Sequence, residues 1–233
     1  MTIQEYFVEW SKVIDLTEAD GIIRRLSASN HIICPRPKNI FKAFSLCPLS
    51  SIRVVIMGQE PYDNLRTLHK DSILEKVPVA TGIAFANSPD TVELSPSLEI
   101  LRESVINYAI PHRAINFDPS LEKWESQGVL MLNSALSCEA GRRGSHILLW
   151  RPFIKSLLTN LSKYHTGIVY VLMGTVAQGF EPYINKQFNH VIRCRHPSWY
   201  VRNQVRMPSD IWQEIDSILI AQNSYGVEWY EEY

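Results

Sequence analysis

Cysteine is scarce in this sequence: 233 residues hold four, Cys34, Cys47, Cys138 and Cys194, with no C-x-x-C pair among them. That excludes a disulfide-stapled scaffold and leaves neither zinc sites nor iron–sulfur clusters their usual ligand spacing. The four read as buried or half-buried free thiols of a cytoplasmic protein. An excess of either charge is also missing, since 23 Lys+Arg against 24 Asp+Glu leave a net −1. A protein that coats nucleic acid with its whole surface is thereby excluded, though a local basic patch is not. Long apolar runs are lacking too: Ile168 to Met173 is strand-sized, far short of the roughly 20 residues that span a bilayer. Met1 to Glu5 has neither the basic nor the apolar part of a signal peptide, so no membrane association is expected. The motifs G-x-x-x-x-G-K-[ST], G-x-G-x-x-G and G-x-S-x-G do not occur, and the histidines lack H-x-H or H-E-x-x-H spacing. Phosphate-loop, dinucleotide, α/β-hydrolase and metal-dependent readings lose their motifs, and no cofactor or metal is expected.

What is present is an apolar fraction of 45% with 10% aromatics, enough for one large core or two small ones at about 100–200 residues per domain. No repeat or Gly/Ser- or Pro-rich linker divides the chain, which reads as a single domain over 1–233. Residues 1–45 carry a helical pattern, with Tyr6, Trp10, Val13 and Ile14, then Ile22, Ile23 and Leu26, at helical spacing. Four short β-branched runs follow, each ended by a turn signal: Ile52–Met57, Val129–Leu132, Ile168–Met173 and His190–Cys194. Between and after them lie helical stretches at about Leu98–Ala109, Leu149–Lys163, Val176–Tyr183 and Ile211–Ala221, the last with Ser209-Asp210 as its start signal. Alternating strands and helices predict an α/β fold of three layers, with a central, mostly parallel four-stranded sheet flanked by helices. Ligands of such sheets bind beyond the carboxyl ends of the strands. Here those ends read Gly58-Gln59-Glu60-Pro61-Tyr62-Asp63, Asn133-Ser134, Gly174-Thr175 and His196-Pro197-Ser198, so a carboxylate, an amide, a hydroxyl and an imidazole would share one crevice.

These residues resemble a known family. Gly58 to Tyr62 is similar to the water-activating motif of family 1 uracil-DNA glycosylases, and His196-Pro197-Ser198 to their DNA-intercalation loop. Gly82 to Phe85, Ser95 to Leu98, Trp124 to Asn133, Ala140-Gly141 with Ser145-His146, and Gly174 to Gln178 are similar to further segments in the family's order. The resemblance covers about residues 50–230. It implies a monofunctional DNA glycosylase acting as a monomer on single- or double-stranded DNA. Glu60 and His196 would be catalytic. Gln59, Tyr62, Asp63, Phe85 and Asn133 would bind the base, with Phe85 as stacking platform, Asn133 reading the pyrimidine edge and Tyr62 beside C5, where in the family it excludes thymine. Ser95, Pro96, Ser97, Gly174, Thr175, Ser198, Trp199, Tyr200 and Arg202 would hold DNA, Tyr200 in the position of the wedge. Arg193, Arg195, Arg202 and Arg206 surround the histidine with no acidic residue from 190 to 206, the basic and aromatic mixture that a strand-gripping loop requires.

Three departures bear on the pocket. The family's aspartate is Glu60, whose extra methylene shifts the carboxylate by about 1.5 Å. The family's histidine after the tyrosine is Asp63. Residues 63–84 form a long pocket-side insertion whose polar set, Arg66, His69, Lys70, Asp71, Glu75 and Lys76, could widen the C5 side. Two substrates are therefore open: uracil, as in base-excision repair, or a bulky C5-modified pyrimidine such as hydroxymethylated or glucosylated cytosine of phage DNA, as in antiviral defence. A catalytically weakened DNA-binding or replication-partner module is the alternative of another class.

Overall fold

A computed structural model describes residues 7–70, 73–88, 93–109 and 115–232. Its helices are α1 (Leu16–Ser27), α2 (Lys42–Leu46), α3 (Pro96–Tyr108), α4 (Glu122–Ser126), α5 (Ile147–Tyr164), α6 (Gly174–Gln178), α7 (Pro197–Asn203) and α8 (Asp210–Ala221). Its strands are β1 (Ile33–Cys34), β2 (Val54–Gly58), β3 (Leu65–Lys70), β4 (Ile73–Pro78), β5 (Ile115–Asn116), β6 (Val129–Asn133), β7 (Cys138–Glu139), β8 (Val169–Met173), β9 (His190–Cys194) and β10 (Glu231–Glu232).

The central sheet has the order β6-β2-β8-β9, and all its neighbours are parallel. Every residue of β2, β6 and β8 is buried. Because side chains alternate between faces, burial at every position means that both faces are covered, which is why these strands are continuously apolar. The edge strand β9 is only partly buried. On the helical layers α1 packs on α5, α3 on α7 and α8, and α8 on β8. Trp10, Val13, Ile14, Ile22 and Leu26 are in the core as their spacing predicts, while Tyr6 lies outside the described residues. The Asp15 side chain caps α1 by accepting from the Thr17 and Glu18 amides.

The expected strands and helices are present, with local differences. The stretch expected as one helix over 176–183 is α6 followed by a 3-10 turn at Glu181–Tyr183; Gly179 and Pro182 interrupt it. Ser209 stands at the N-cap of α8 without a side-chain capping bond. The insertion is an antiparallel hairpin, β3 with β4, in register Leu65↔Pro78 to Lys70↔Ile73. An Arg36–Glu75 ion pair ties it to the body. Among the described residues no helix is long and apolar enough to cross a membrane.

Candidate active site

The carboxyl ends of β2, β6 and β9 open into a cavity of about 610 Å³ lined by Gln59, Glu60, Tyr62, Asp63, Phe85, Ser95, Pro96, Ser97, Asn133, His196, Ser198 and Arg202. Segments from 59 to 202 meet there because parallel strands deliver all their ends to one edge. Register puts Gly58 beside Asn133. The Ser134 hydroxyl and amide both donate to the Gly58 carbonyl, and the Ala135 amide donates to that of Gln59. Gly58 is required: a Cβ there would stand 2.7 Å from Phe85 Cζ and 2.9 Å from Asn133 Oδ1. Gly58→Ala should therefore displace both rims of the pocket, lowering kcat/KM for base excision at least about tenfold at a stability cost of about 1–3 kcal/mol. Paired kinetics and chemical denaturation check this, and wild-type kinetics would contradict it.

His196-Pro197-Ser198 is a local folding unit as well as a motif. His196 is the N-cap of α7, Pro197 stands in its first turn, and His196 Nδ1 accepts from the Ser198 amide at 3.1 Å, with the Ser198 hydroxyl at 2.9 Å. Accepting at Nδ1 leaves the neutral ring its proton on Nε2. Burial, with a smaller contribution from Arg202, pushes the pKa of His196 down to about 4, so the group is a neutral N–H donor at ordinary pH. Its ring lies 5.5 Å from that of Phe85.

Phe85 is 7% exposed and has φ of 66°, a left-handed conformation costly for a bulky side chain. Its surroundings hold it there. Tyr62 Oη donates to the Phe85 carbonyl at 2.8 Å, and the Ala84 amide to that of Met131 at 3.1 Å. Burial raises the Tyr62 pKa, so the phenol stays a donor. Ser95 caps the start of α3 by position, but its hydroxyl accepts from Asn87 Nδ2 at 2.8 Å while its amide donates to Asn87 Oδ1 at 2.6 Å. That exchange fixes the Ser95-Pro96-Ser97 loop.

Glu60 is held from both sides. Oε2 accepts from the Gly144 amide at 2.6 Å and Oε1 from Gln59 Nε2 at 3.2 Å. Gly144 has φ of +77°, a backbone state that favours glycine. Asp63 lines the cavity and pairs with Arg143 Nε at 3.3 Å. Arg143 and Gly144 escape sequence reading; the only local sign of them is a glycine in the polar loop between Ala140-Gly141 and Ser145-His146.

Several expectations are corrected. Tyr200 is 8% exposed and packed in the core, so it does not stand out as a wedge; α7 turns Ser198, Val201 and Arg202 to the cavity instead. Trp199 is half-buried and carries the Arg195 guanidinium 3.8 Å above its ring. Arg193 is paired with Glu181, an acidic partner contributed from outside 190–206, and so adds no free charge to the basic loop. Gly174 (φ +86°) and Thr175 do not line the cavity; a Cβ on Gly174 would meet His196 Cβ at 2.8 Å, so this glycine lets the histidine approach. Among the described residues the insertion reaches the cavity through its two ends, at Asp63 and Asn64 and at Ala80, Gly82, Ile83 and Ala84. Of its polar set Arg66 lines a separate cleft of about 240 Å³, Glu75 pairs with Arg36, and Lys76 is exposed; Asp71 lies outside the described residues. Among those residues no group of three or more His, Cys, Asp or Glu could hold a metal ion.

Residues 44–216 match the family model of the uracil DNA glycosylase superfamily. The chain is 34% identical to a uracil-DNA glycosylase of Coxiella burnetii over 178 residues, 76% of this chain and 71% of that protein. It is 27% identical to one of Vibrio campbellii over 232 residues, covering 97% and 91%. Among solved structures, a mimivirus UNG Y322F variant in complex with UGI superposes with a TM-score of 0.75 at 22% identity, covering 97% of this chain and 87% of that one. The UNG of Nitratifractor salsuginis has a TM-score of 0.55 at 20% identity, covering 91% and 89%. With most of its length matched and its strand ends carrying the motifs described above, this chain belongs to the uracil DNA glycosylase superfamily and is a DNA glycosylase, a hydrolase of N-glycosyl bonds.

Proposed function

We propose that this protein is a monofunctional glycosylase that flips uracil out of DNA and hydrolyses its N-glycosidic bond, leaving an abasic site. A base inside a duplex is beyond reach of any side chain, so the nucleotide must first leave the stack. Bond cleavage develops positive charge on the sugar and negative charge on the departing base. Glu60, held by Gly144 and Gln59, faces the first need: it orients a water and stabilises the sugar cation. His196 meets the second by donating from Nε2 to a base oxygen. That neutral donor, fixed by the Ser198 amide at Nδ1, is the observation that carries the reading. Asn133 pairs with the pyrimidine edge, Phe85 stacks on its face, and Gln59 and Asp63 complete the wall. Ser95, Pro96, Ser97, Gly174, Thr175 and Ser198 hold phosphates through hydroxyls and amides, with Arg202, Trp199 and Arg195 beside the strand.

Among the described residues no lysine lines the cavity, which supports water rather than an amine as the nucleophile. Tyr62, anchored through its hydroxyl to the Phe85 carbonyl, supports uracil over a C5-substituted base, because the anchored ring would have to move to admit a substituent. Oligonucleotides carrying uracil, cytosine, hydroxymethylcytosine or glucosylated hydroxymethylcytosine, single- and double-stranded, test the reading after alkaline cleavage of abasic sites. Scission of the uracil strands alone is expected. Scission of a modified-cytosine strand would transfer the assignment to C5-modified DNA and a defensive role. Scission of none, with DNA still bound, would indicate a binding module.

A further inference from the structure

Two thiols that this chemistry does not use lie under the loop that carries it. Cys34 on β1 and Cys138 on β7 are directly opposed in an antiparallel pair, and both are wholly buried. With Ala80 they form a small cluster apart from the main core, closed by Tyr62, Leu65 and Ala140. The Cys138 thiol donates to the carbonyl oxygen of Pro61 at 3.6 Å, the residue between Glu60 and Tyr62. Directly opposed residues of such a pair have Cα atoms about 4.5–5.5 Å apart, within the range of about 4.4–6.8 Å that a disulfide bridges.

We propose that Cys34 and Cys138 form a reversible disulfide when a hydroperoxide oxidises them, and that this bond slows base excision by releasing the Glu60–Tyr62 loop. Cys47 and Cys194 are free thiols elsewhere, buried and half-buried, and serve as internal controls. In the resting pair the single Cys138 proton points to Pro61; when Cys34 ionises, that proton turns to its thiolate, which holds Cys34 below the usual thiol range and Cys138 above it. Cys34 is thus the attacking thiolate. Its sulfur attacks one peroxide oxygen, the O–O bond breaks, hydroxide leaves and a sulfenic acid forms. The Cys138 sulfur then attacks the sulfenic sulfur, the S–O bond breaks, and the Cys138 proton leaves with the departing oxygen as water. Two thiols lose two electrons and two protons, and one peroxide becomes two waters. β1 and β7 are two-residue strands, so local opening exposes the pair at little cost. Once bridged, the Cys138 sulfur is drawn to Cys34 and has no proton to donate to Pro61, so the backbone between Glu60 and Tyr62 loses that anchor.

The test treats the full chain with hydrogen peroxide and maps its peptides by mass spectrometry. Rates are followed before oxidation, after it and after dithiothreitol, on whichever strand of the oligonucleotide panel the reduced enzyme cuts. A Cys34–Cys138 link lighter by two hydrogens is expected, with kcat reduced about tenfold or more and restored by the reductant. Cys34→Ala, which keeps the Cys138–Pro61 bond, should hold its activity through the same treatment, while Cys138→Ala, which lacks that bond, should start slower than the parent and lose nothing further to peroxide. An oxidised protein without this link, a linked protein of unchanged rate, or variants as sensitive as the parent would overturn the proposal. The link is read without any substrate, so failure of the uracil assignment shows in the reduced enzyme and is distinguishable from failure of the thiol pair.

Discussion

Replacing Glu60 by Gln is expected to lower kcat on a uracil-containing duplex by about 10³-fold or more, the scale of losing a general base and its charge together. The Kd for that duplex should stay within about threefold, because affinity rests on phosphate contacts that the substitution does not touch. Single-turnover kinetics and DNA-binding titrations on one preparation check both halves. Parallel loss of affinity would make Glu60 structural, and retained turnover would remove it from catalysis. The shorter acid is the more searching variant. Glu60→Asp restores the family's residue yet withdraws the carboxylate by about 1.5 Å, stretching the 2.6 Å bond from Gly144 beyond hydrogen-bond length. A loss of about a hundredfold is expected. A Glu60→Asp enzyme faster than the parent would show that the Gly144 amide does not position the carboxylate.

The second large effect is expected at His196. His196→Ala should cost about 10²–10³-fold in kcat, the loss associated with one preorganised donor to a developing anion, while His196→Gln, which keeps an N–H, should recover part of it. Since the pKa is pushed down to about 4, the wild-type rate should show no acid limb from this group between about pH 5.5 and 8. Stability follows the same shift. The folded value lies below the unfolded imidazole's, about 6.5, so between about pH 6.5 and 4 the unfolded chain binds a proton that the folded chain does not. The contribution of His196 is therefore full above about pH 6.5 and declines as the pH falls toward 4. Arg202→Ala removes the smaller of the two causes and should move the titration upward. NMR titration of the His196 ring reads each value; a midpoint near the ordinary imidazole value of about 6.5 in the parent would contradict the buried neutral donor.

Much of the site is legible in the sequence because its signals are local. Three adjacent residues, His196, Pro197 and Ser198, suffice to cap a helix and set a tautomer, and a short β-branched run suffices for a buried strand. The hairpin in 63–84 was not legible: Leu65 to Leu68 and Ile73 to Val77 show no apolar–polar alternation, and its register depends on the partner strand. The pairing of β1 with β7 was hidden for a simpler reason, since two residues carry no period.

By itself the sequence determined the α/β alternation, the four parallel strands and the polar residues at their ends, because periodicity and turn chemistry act over a few residues. Only the tertiary structure decided which groups those residues meet. Glu60 and the Gly144 amide are 84 positions apart, Arg193 is neutralised by Glu181 from another segment, and Tyr200 is buried although it sits in a basic, polar stretch. These outcomes depend on chain folding that brings distant segments within a few ångströms, and hydrogen bonds and ion pairs at that range leave no trace in sequence spacing.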